Sequence, residues 1–291
     1  MKRFVLVYNP ISGHAFVKTQ LDYMIDAFER RDAMLIPYRT RLADTKMAEF
    51  IREADPVGVL AMGGDGTLNE VVTTVLKNEL HVPIAVIGSG TSNDFATHLG
   101  VTENLEEYFD HIVAENTTPS DVGMVNGNYF VNVASAGMFT AVAHEVNARL
   151  KHAMGKAAYY LRGIGELPKF HTMKLHVVAD GAEHDLAAYF FIIVNSTIAG
   201  GVKNAAPLAK IDDGKLDLVA VKQCSMKDFV TLAAEVIGGR VKPDDPNIFY
   251  VQASSFEMTT EEPEESDLDG ERGPMLPLHI ETLHHAIDLF V

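Results

Sequence analysis

The sequence predicts an α/β domain on a doubly wound parallel sheet, followed by a β-rich domain. Two observations predict this. Up to about residue 120, a unit of apolar strand, glycine-bearing loop and amphipathic helix repeats. That order gives a parallel sheet with helices on both faces. After Asp121, apolar runs are joined by Asn-Gly and Asp-Gly pairs, which are hairpin signals. The 291 residues accommodate about two domains.

Strand 4–8 follows Lys2 and Arg3 and ends in the turn sequence Asn9, Pro10, Ile11, Ser12, Gly13. Leu21, Met24, Ile25 and Phe28 share one face of a helix over 16–31. A second strand spans 33–38, with Thr40 behind it, and a helix follows at 43–54. Strand 57–61 runs into Gly63, Gly64, Asp65, Gly66, Thr67, Leu68, Asn69 and Glu70. There Leu68, Val71, Val72, Val75 and Leu76 recur at helical spacing. Strand 82–87 leads into a second polar loop, 88–94, and a helix begins at Phe95. All three glycine loops follow strands. They should gather at the carboxyl edge of one sheet, where open α/β sheets bind ligands.

In the second half, 121–125 and 129–133 form a hairpin around Asn126, Gly127 and Asn128. Residues 176–179 and 187–195 form another around Asp180 and Gly181. Residues 216–221, 278–280 and 286–290 are strand-like, and helical patches cover 139–167 and 226–238. The antiparallel half reads as a sandwich or barrel. The acidic run 261–267 reads as a solvated loop.

Composition narrows the chemistry. Forty acidic residues against 24 basic give a net charge of −16, which opposes global steering toward nucleic acid or anionic membrane. The one local exception is 149–174, where Arg149, Lys151, Lys156, Arg162, Lys169 and Lys174 are interleaved with Tyr159, Tyr160 and Phe170. That mixture suits a membrane surface as well as an ordinary solvated helix face. The single cysteine, Cys224, excludes an intrachain disulfide and a cysteine zinc site, and fits a cytoplasmic protein. No run approaches the roughly 18 apolar residues of a membrane span. Exposed strand edges in the β-rich half are compatible with a homodimer.

The glycine loop at 63–66 lets backbone amides approach an anion at a helix N-terminus. No P-loop pattern is present. An aspartate among phosphate-binding amides fits only if it faces a metal ion or a water. Asp65, Asp94 and Asp121 each stand at a strand end or in a loop, although a cap or turn role accounts for any one alone. Leu268, Asp269, Gly270 and Glu271 read either as a plain hairpin or as a turn presenting a general base. Lys210, Asp213 and Lys215 lie in a turn that is either structural or a seat for a hard cation. The twelve histidines, His284 and His285 included, show no ligand spacing and read as structural or surface.

Together, residues 9–13, 63–70, 90–95 and 268–271 resemble the diacylglycerol kinase catalytic-domain family, specifically its soluble bacterial lipid kinases. The motifs occur in the family's order and span nearly the whole chain. Ile11, and Ser92 where alanine is common, depart from the pattern without removing a chemical group. The resemblance implies a NAD kinase/phosphofructokinase-like α/β domain (1–121 with about 278–291), a β-sandwich lipid-substrate domain (122–277), and an ATP cleft between them. It also implies transfer of the γ-phosphoryl group to a lipid hydroxyl, most simply diacylglycerol to phosphatidic acid. Other lipid acceptors, an NAD-kinase-like activity and a lapsed lipid-responsive regulator stay open.

By the same resemblance, Asn9, Pro10, Ile11, Ser12, Gly13, Thr40, Gly64, Asp65, Gly66, Thr67, Leu68, Asn69, Glu70, Thr91 and Glu271 line the nucleotide site. Asp269 is the proton acceptor. Asp65, Asp94 and Asp121 form a Mg²⁺-and-water network, and Lys210, Asp213 and Lys215 a structural Mg²⁺ site. A lipid acceptor implies a cytoplasmic protein that touches the inner membrane face transiently, with 149–174 as the docking stretch.

Overall fold

The computed structural model describes residues 1–10, 16–41, 44–90, 93–101, 104–137 and 171–291, without the side chains of 16–19 and 237. Residues 149–170 of the basic stretch 149–174, the helical patch 139–167, Ile11, Ser12, Gly13, Thr91 and Ser92 fall outside the described residues.

The first half alternates as expected. Strands β1 (Lys2–Tyr8), β2 (Ala33–Arg39), β3 (Gly58–Gly63) and β4 (Ile84–Gly88) lie parallel in the order β4-β3-β1-β2. Helices α1 (Phe16–Glu29), α2 (Met47–Ala54), α3 (Asp65–Lys77), α4 (Asp94–Leu99) and α5 (Leu105–Val113) connect and cover them. Every residue of β3 is buried, as a central parallel strand covered on both faces requires. Helix α2 starts later than its expected onset at 43, because the Asp44 carboxylate takes the Lys46 amide at 3.0 Å and turns the chain first. Helix α5 was not among the expected elements. Asn104 caps it by accepting the Glu107 amide, and Tyr108, Phe109 and Ile112 form its buried face.

The second half is antiparallel except where the end of β15 lies parallel to β4, Leu289 opposite Ile84. Hairpin β5 (Thr117–Val125) and β6 (Asn128–Phe130) is followed by β7 (Val133–Gly137), β8 (Met173–Ala179), β9 (Ala182–Val194) and β10 (Leu216–Lys222). Then come α6 (Met226–Ile237), β11 (Ile248–Ala253), β12 (Ser255–Thr260), β13 (Glu265–Leu268), β14 (Glu271–Met275) and β15 (Leu278–Phe290). In β10, Leu216, Leu218 and Ala220 enter one core while Val219 and Val221 enter another, beneath Phe229 and Leu232 of α6. Strand alternation thus fills two layers from one segment. The acidic run is not all loop. Its second half is β13, with Ser266 and Asp267 buried.

Two strands join the halves. Val122 packs in the first core and Val125 in the second, three residues later in β5. Its antiparallel partner β15 carries Leu278 and Ile280 in the second core, and Ile287, Leu289 and Phe290 in the first. The return expected from about residue 278 is therefore made only near the strand's end. Phe290 closes it. The ring lies 6.3 Å from Phe4, and a side chain at Gly58 would start 2.5 Å from it, so only glycine leaves room there. Full burial of such a ring is worth about 1.5–3 kcal/mol.

Candidate active site

The ends of β1, β3 and β4 converge as the sequence predicts. Asn9 donates its amide to the Met62 carbonyl at 3.3 Å, and the amide of buried Thr40 bonds to the Tyr8 carbonyl. The Ser89 amide bonds to the Gly63 carbonyl at 2.8 Å. A Cβ on Gly90 would sit 2.5 Å from the Gly64 Cα, so the two loops touch through bare backbone. Asn93 holds the second loop by accepting the Gly90 amide at 2.6 Å and donating to its carbonyl at 3.0 Å. A narrow crevice lined by Gly63, Gly64, Asp65, Gly88 and Asn93 opens between them. Helix α3 starts at this crevice with no side-chain cap. The Thr67 and Leu68 amides bond to the Gly64 carbonyl at 3.0 and 3.2 Å, which leaves those of Asp65 and Gly66 for an anion. Thr67 and Leu68 are buried and anchor that turn.

Asp269 sits at the same place, from far along the chain. Strands β13 and β14 make a tight hairpin in which Asp269 (φ 51°) and Gly270 (φ 89°) both take left-handed backbone. This is the geometry that Asp-Gly favours. Asp267 fixes the turn by accepting the Gly270 amide at 2.8 Å. The buried Asp269 carboxylate accepts four hydrogen bonds. Oδ2 takes Asn69 Nδ2 (2.8 Å) and the Val131 amide (2.7 Å). Oδ1 takes the amides of Asn132 (3.0 Å) and Val133 (2.8 Å).

Those amides explain a difference from expectation. The strand predicted over 129–133 breaks at 131 and 132, because its amides turn to Asp269 instead of a neighbouring strand. Burial pushes the Asp269 carboxyl up to about 6, against the opposing pull of all four bonds. Asn69, one turn into α3, also donates to the Tyr129 carbonyl at 2.9 Å, so this single side chain ties the helix, β6 and Asp269 together.

The other acids divide into groups. Glu271 comes within 3.5 Å of where a side chain on Gly66 would begin. Burial first, then the charges of Asp44 and Glu271, raise the Glu70 carboxyl above its ordinary range. Asp65 accepts the Phe95 amide at 3.5 Å, and buried Asp94 accepts the Gly201 amide at 3.1 Å on both oxygens. Asp65 and Asp94 therefore meet at the start of α4.

Asp121, expected with them, bonds to a different set of groups. Its fully buried carboxylate accepts the Gly214 amide (2.7 Å) and the His285 amide (2.8 Å), and faces His284 Nδ1 at 2.9 Å. It thereby pins the turn of Lys210, Asp213 and Lys215, where Asp213 accepts the Lys215 amide at 3.1 Å. The histidine pair is a functional candidate that sequence spacing did not reveal.

Asn195 carries no motif in the sequence, yet it joins these two regions. Its amide donates to the carbonyls of Asp121 (2.8 Å) and Val131 (3.0 Å). Ser89 Oγ is buried with no hydrogen-bond partner among the described residues.

The whole chain has relatives with this layout. Residues 3–125 match the model of the diacylglycerol kinase catalytic domain, and residues 132–291 that of the YegS C-terminal NAD kinase beta sandwich-like domain. The diacylglycerol kinase of Bacillus subtilis (strain 168) is 32% identical over 292 residues, covering 99% of this chain and 95% of the relative. That of Staphylococcus aureus (strain Newman) is 30% identical over 294 residues, covering 99% and 92%. A crystal structure of a diacylglycerol kinase from Bacillus anthracis str. Sterne matches with a TM-score of 0.74 at 26% identity, covering 99% of this chain and 96% of that one. On its motifs, its two-part fold and these relatives, the chain belongs to the diacylglycerol kinase family.

Proposed function

We propose that the protein transfers the γ-phosphoryl group of ATP to the hydroxyl of diacylglycerol, giving phosphatidic acid. The observation that carries this is the seat of Asp269. A buried carboxylate 200 residues from Asn69 in sequence is bonded to it, one helical turn from an uncapped glycine loop. Phosphoryl transfer needs positioning, charge stabilisation and a base for the incoming hydroxyl.

The Asp65 and Gly66 amides at the start of α3 hold the phosphates, with Asn9, Pro10, Ile11, Ser12, Gly13, Thr40 and Thr91 around the nucleotide. Asp269 takes the hydroxyl proton as the acceptor oxygen attacks phosphorus. A carboxyl near pKa 6 is largely ionised at neutral pH yet basic enough for this task. All four of its lone-pair directions are used, so one donor must yield as the substrate hydroxyl arrives. Asn69 is the only one of the four that can move by side-chain rotation.

Asp65 and Asp94 fit a hydrated Mg²⁺ beside the phosphates. That ion would offset phosphate charge. We assign residues 1–121 and the end of β15 to the nucleotide domain and the intervening sandwich to the lipid. The protein works in the cytoplasm and touches the membrane transiently through 149–174. Among the described residues no helix is long and apolar enough to cross a membrane.

The test is transfer of radiolabelled γ-phosphate to a panel of diacylglycerol, monoacylglycerol, a sphingoid base, a prenol and phosphatidylglycerol in mixed micelles, with NAD as a soluble acceptor. Preference for diacylglycerol is expected. Preference for NAD, or no transfer with ATP and Mg²⁺, overturns the assignment. Reversing Lys151 and Lys156 to glutamate should weaken liposome co-sedimentation.

A further inference from the structure

The crossing of β5 and β15 between the two cores brings three metal-binding side chains together. The register jumps from Val122 opposite Leu283 to Ser120 opposite Ile287. Asp121 alone therefore faces residues 284–286, and β15 bulges there. In a regular strand, neighbouring side chains point to opposite faces. Here the rings of His284 and His285 lie 3.7 Å apart, centroid to centroid, on one side. His285 reaches this position with φ at 50°, a left-handed conformation that few side-chain-bearing residues adopt.

His284 Nδ1 is 2.9 Å from Asp121 Oδ1, and His285 Nε2 is 3.2 Å from the Asp212 carbonyl oxygen. One ligand atom from each of Asp121, His284 and His285 lies within 4.8 Å of the other two. Tetrahedral nitrogen and oxygen ligands at zinc stand roughly 3.3 Å apart. The Asp121–His284 and His285–Asp212 spacings, 2.9 and 3.2 Å, are near that value.

We propose that Asp121, His284 and His285, with the Asp212 carbonyl, bind a divalent transition metal of the zinc class. Two imidazoles select such an ion over Mg²⁺ or Ca²⁺, which take oxygen ligands. The supporting shell is in place, since the second carboxylate oxygen of Asp121 is oriented by the Gly214 amide at 2.7 Å. There is also an entry path, because the His284 side chain is 53% exposed beside the fully buried carboxylate. The site is separate from the Mg²⁺ assigned to Asp65 and Asp94. It would clamp the two crossing strands to the turn at 211–214.

The experiment titrates metal-free, full-length protein with Co²⁺ in excess Mg²⁺, following visible d–d absorption, then displaces Co²⁺ with Zn²⁺. One saturable equivalent with a tetrahedral-type spectrum is expected, and Zn²⁺ should raise the melting temperature. His284→Gln keeps a hydrogen bond to Asp121, and His285→Asn tolerates the left-handed backbone. Each should weaken Co²⁺ binding about tenfold or more. His279→Gln, on the same strand, should leave it unchanged. The proposal is overturned by absence of saturable binding, by unchanged affinity in the double variant His284→Gln/His285→Asn, by equal loss in His279→Gln, or by competitive displacement with Mg²⁺.

Discussion

Replacing Asp269 with asparagine separates its chemical role from its structural one. Native Asp269 is pushed up to about 6, above the unfolded carboxyl near 3.8, and burial is the largest cause. The folded protein therefore binds this proton more tightly than the unfolded chain does. Stability falls as pH rises from about 4 to about 6, by roughly 3 kcal/mol in total, and stays at the lower level above that window. In the variant this component disappears. Asparagine, however, offers one oxygen to the four donors, and its amide nitrogen must face two of them.

Each buried donor left unbonded costs about 1–3 kcal/mol, against relief of the roughly 3 kcal/mol held by the ionised carboxylate. With two donors unbonded, the net change at neutral pH should fall between about 1 kcal/mol of stabilisation and about 3 kcal/mol of destabilisation, so the variant folds. Loss of the base should lower kcat by about 10²–10⁴-fold. The assay is kcat/KM for lipid phosphorylation between about pH 4.5 and 9, with urea unfolding of both proteins at both ends of the acidic window. Wild type should show a single acidic limb centred near 6, and the variant a low, flat profile. A folded variant within about tenfold of wild-type turnover refutes the assignment, as does a wild-type limb centred near 4.

Removing one donor should move that limb. Asn69→Ala deletes a bond that favours the ionised carboxylate, so the acidic limb should shift above about 6, with about 1–2 kcal/mol lost in thermal or urea melts. A stationary limb would show that Asn69 does not tune the base. Gly90→Ala forces a methyl against the Gly64 backbone, and we expect about 1–3 kcal/mol of destabilisation and weaker ATP binding by calorimetry. Unchanged melting and affinity would mean the loops are not in contact. Tyr108→Phe removes a buried hydroxyl that accepts the Val86 amide at 3.0 Å and donates to the Phe290 carbonyl at 3.2 Å. It should cost about 1–2 kcal/mol with kcat unaltered, whereas a loss of turnover in folded protein would contradict its purely structural placement.

The sequence carried the parallel half well, because each glycine loop sits between a strand and a helix with clear periodicity. It carried the Asp269 turn too, since Asp-Gly demands the left-handed pair that the hairpin shows. Helix α5 is legible in Asn104 as a cap and in the spacing of Leu105, Tyr108, Phe109 and Ile112. The break at residues 131 and 132 was not readable. Val131 and Val133 have the character of a strand, and only an acceptor well over a hundred residues away draws their amides out of the ladder. His284 and His285 were illegible for a related reason. Adjacent residues read as opposite faces of a strand, and the bulge that turns them together depends on how β5 is registered against β15.

The shared strands also govern how the molecule comes apart. A loop linker lets two domains melt independently. Here β5 and β15 each contribute side chains to both cores, so unfolding either core tears hydrogen-bonded strand from the other. Denaturation should therefore be a single cooperative transition despite the two-part layout. Amide exchange at Val122 and Ile287 should be as slow as at Val125 and Ile280. Neither half expressed alone should fold, since a cut through the ribbon leaves each with an unpaired edge and half a core.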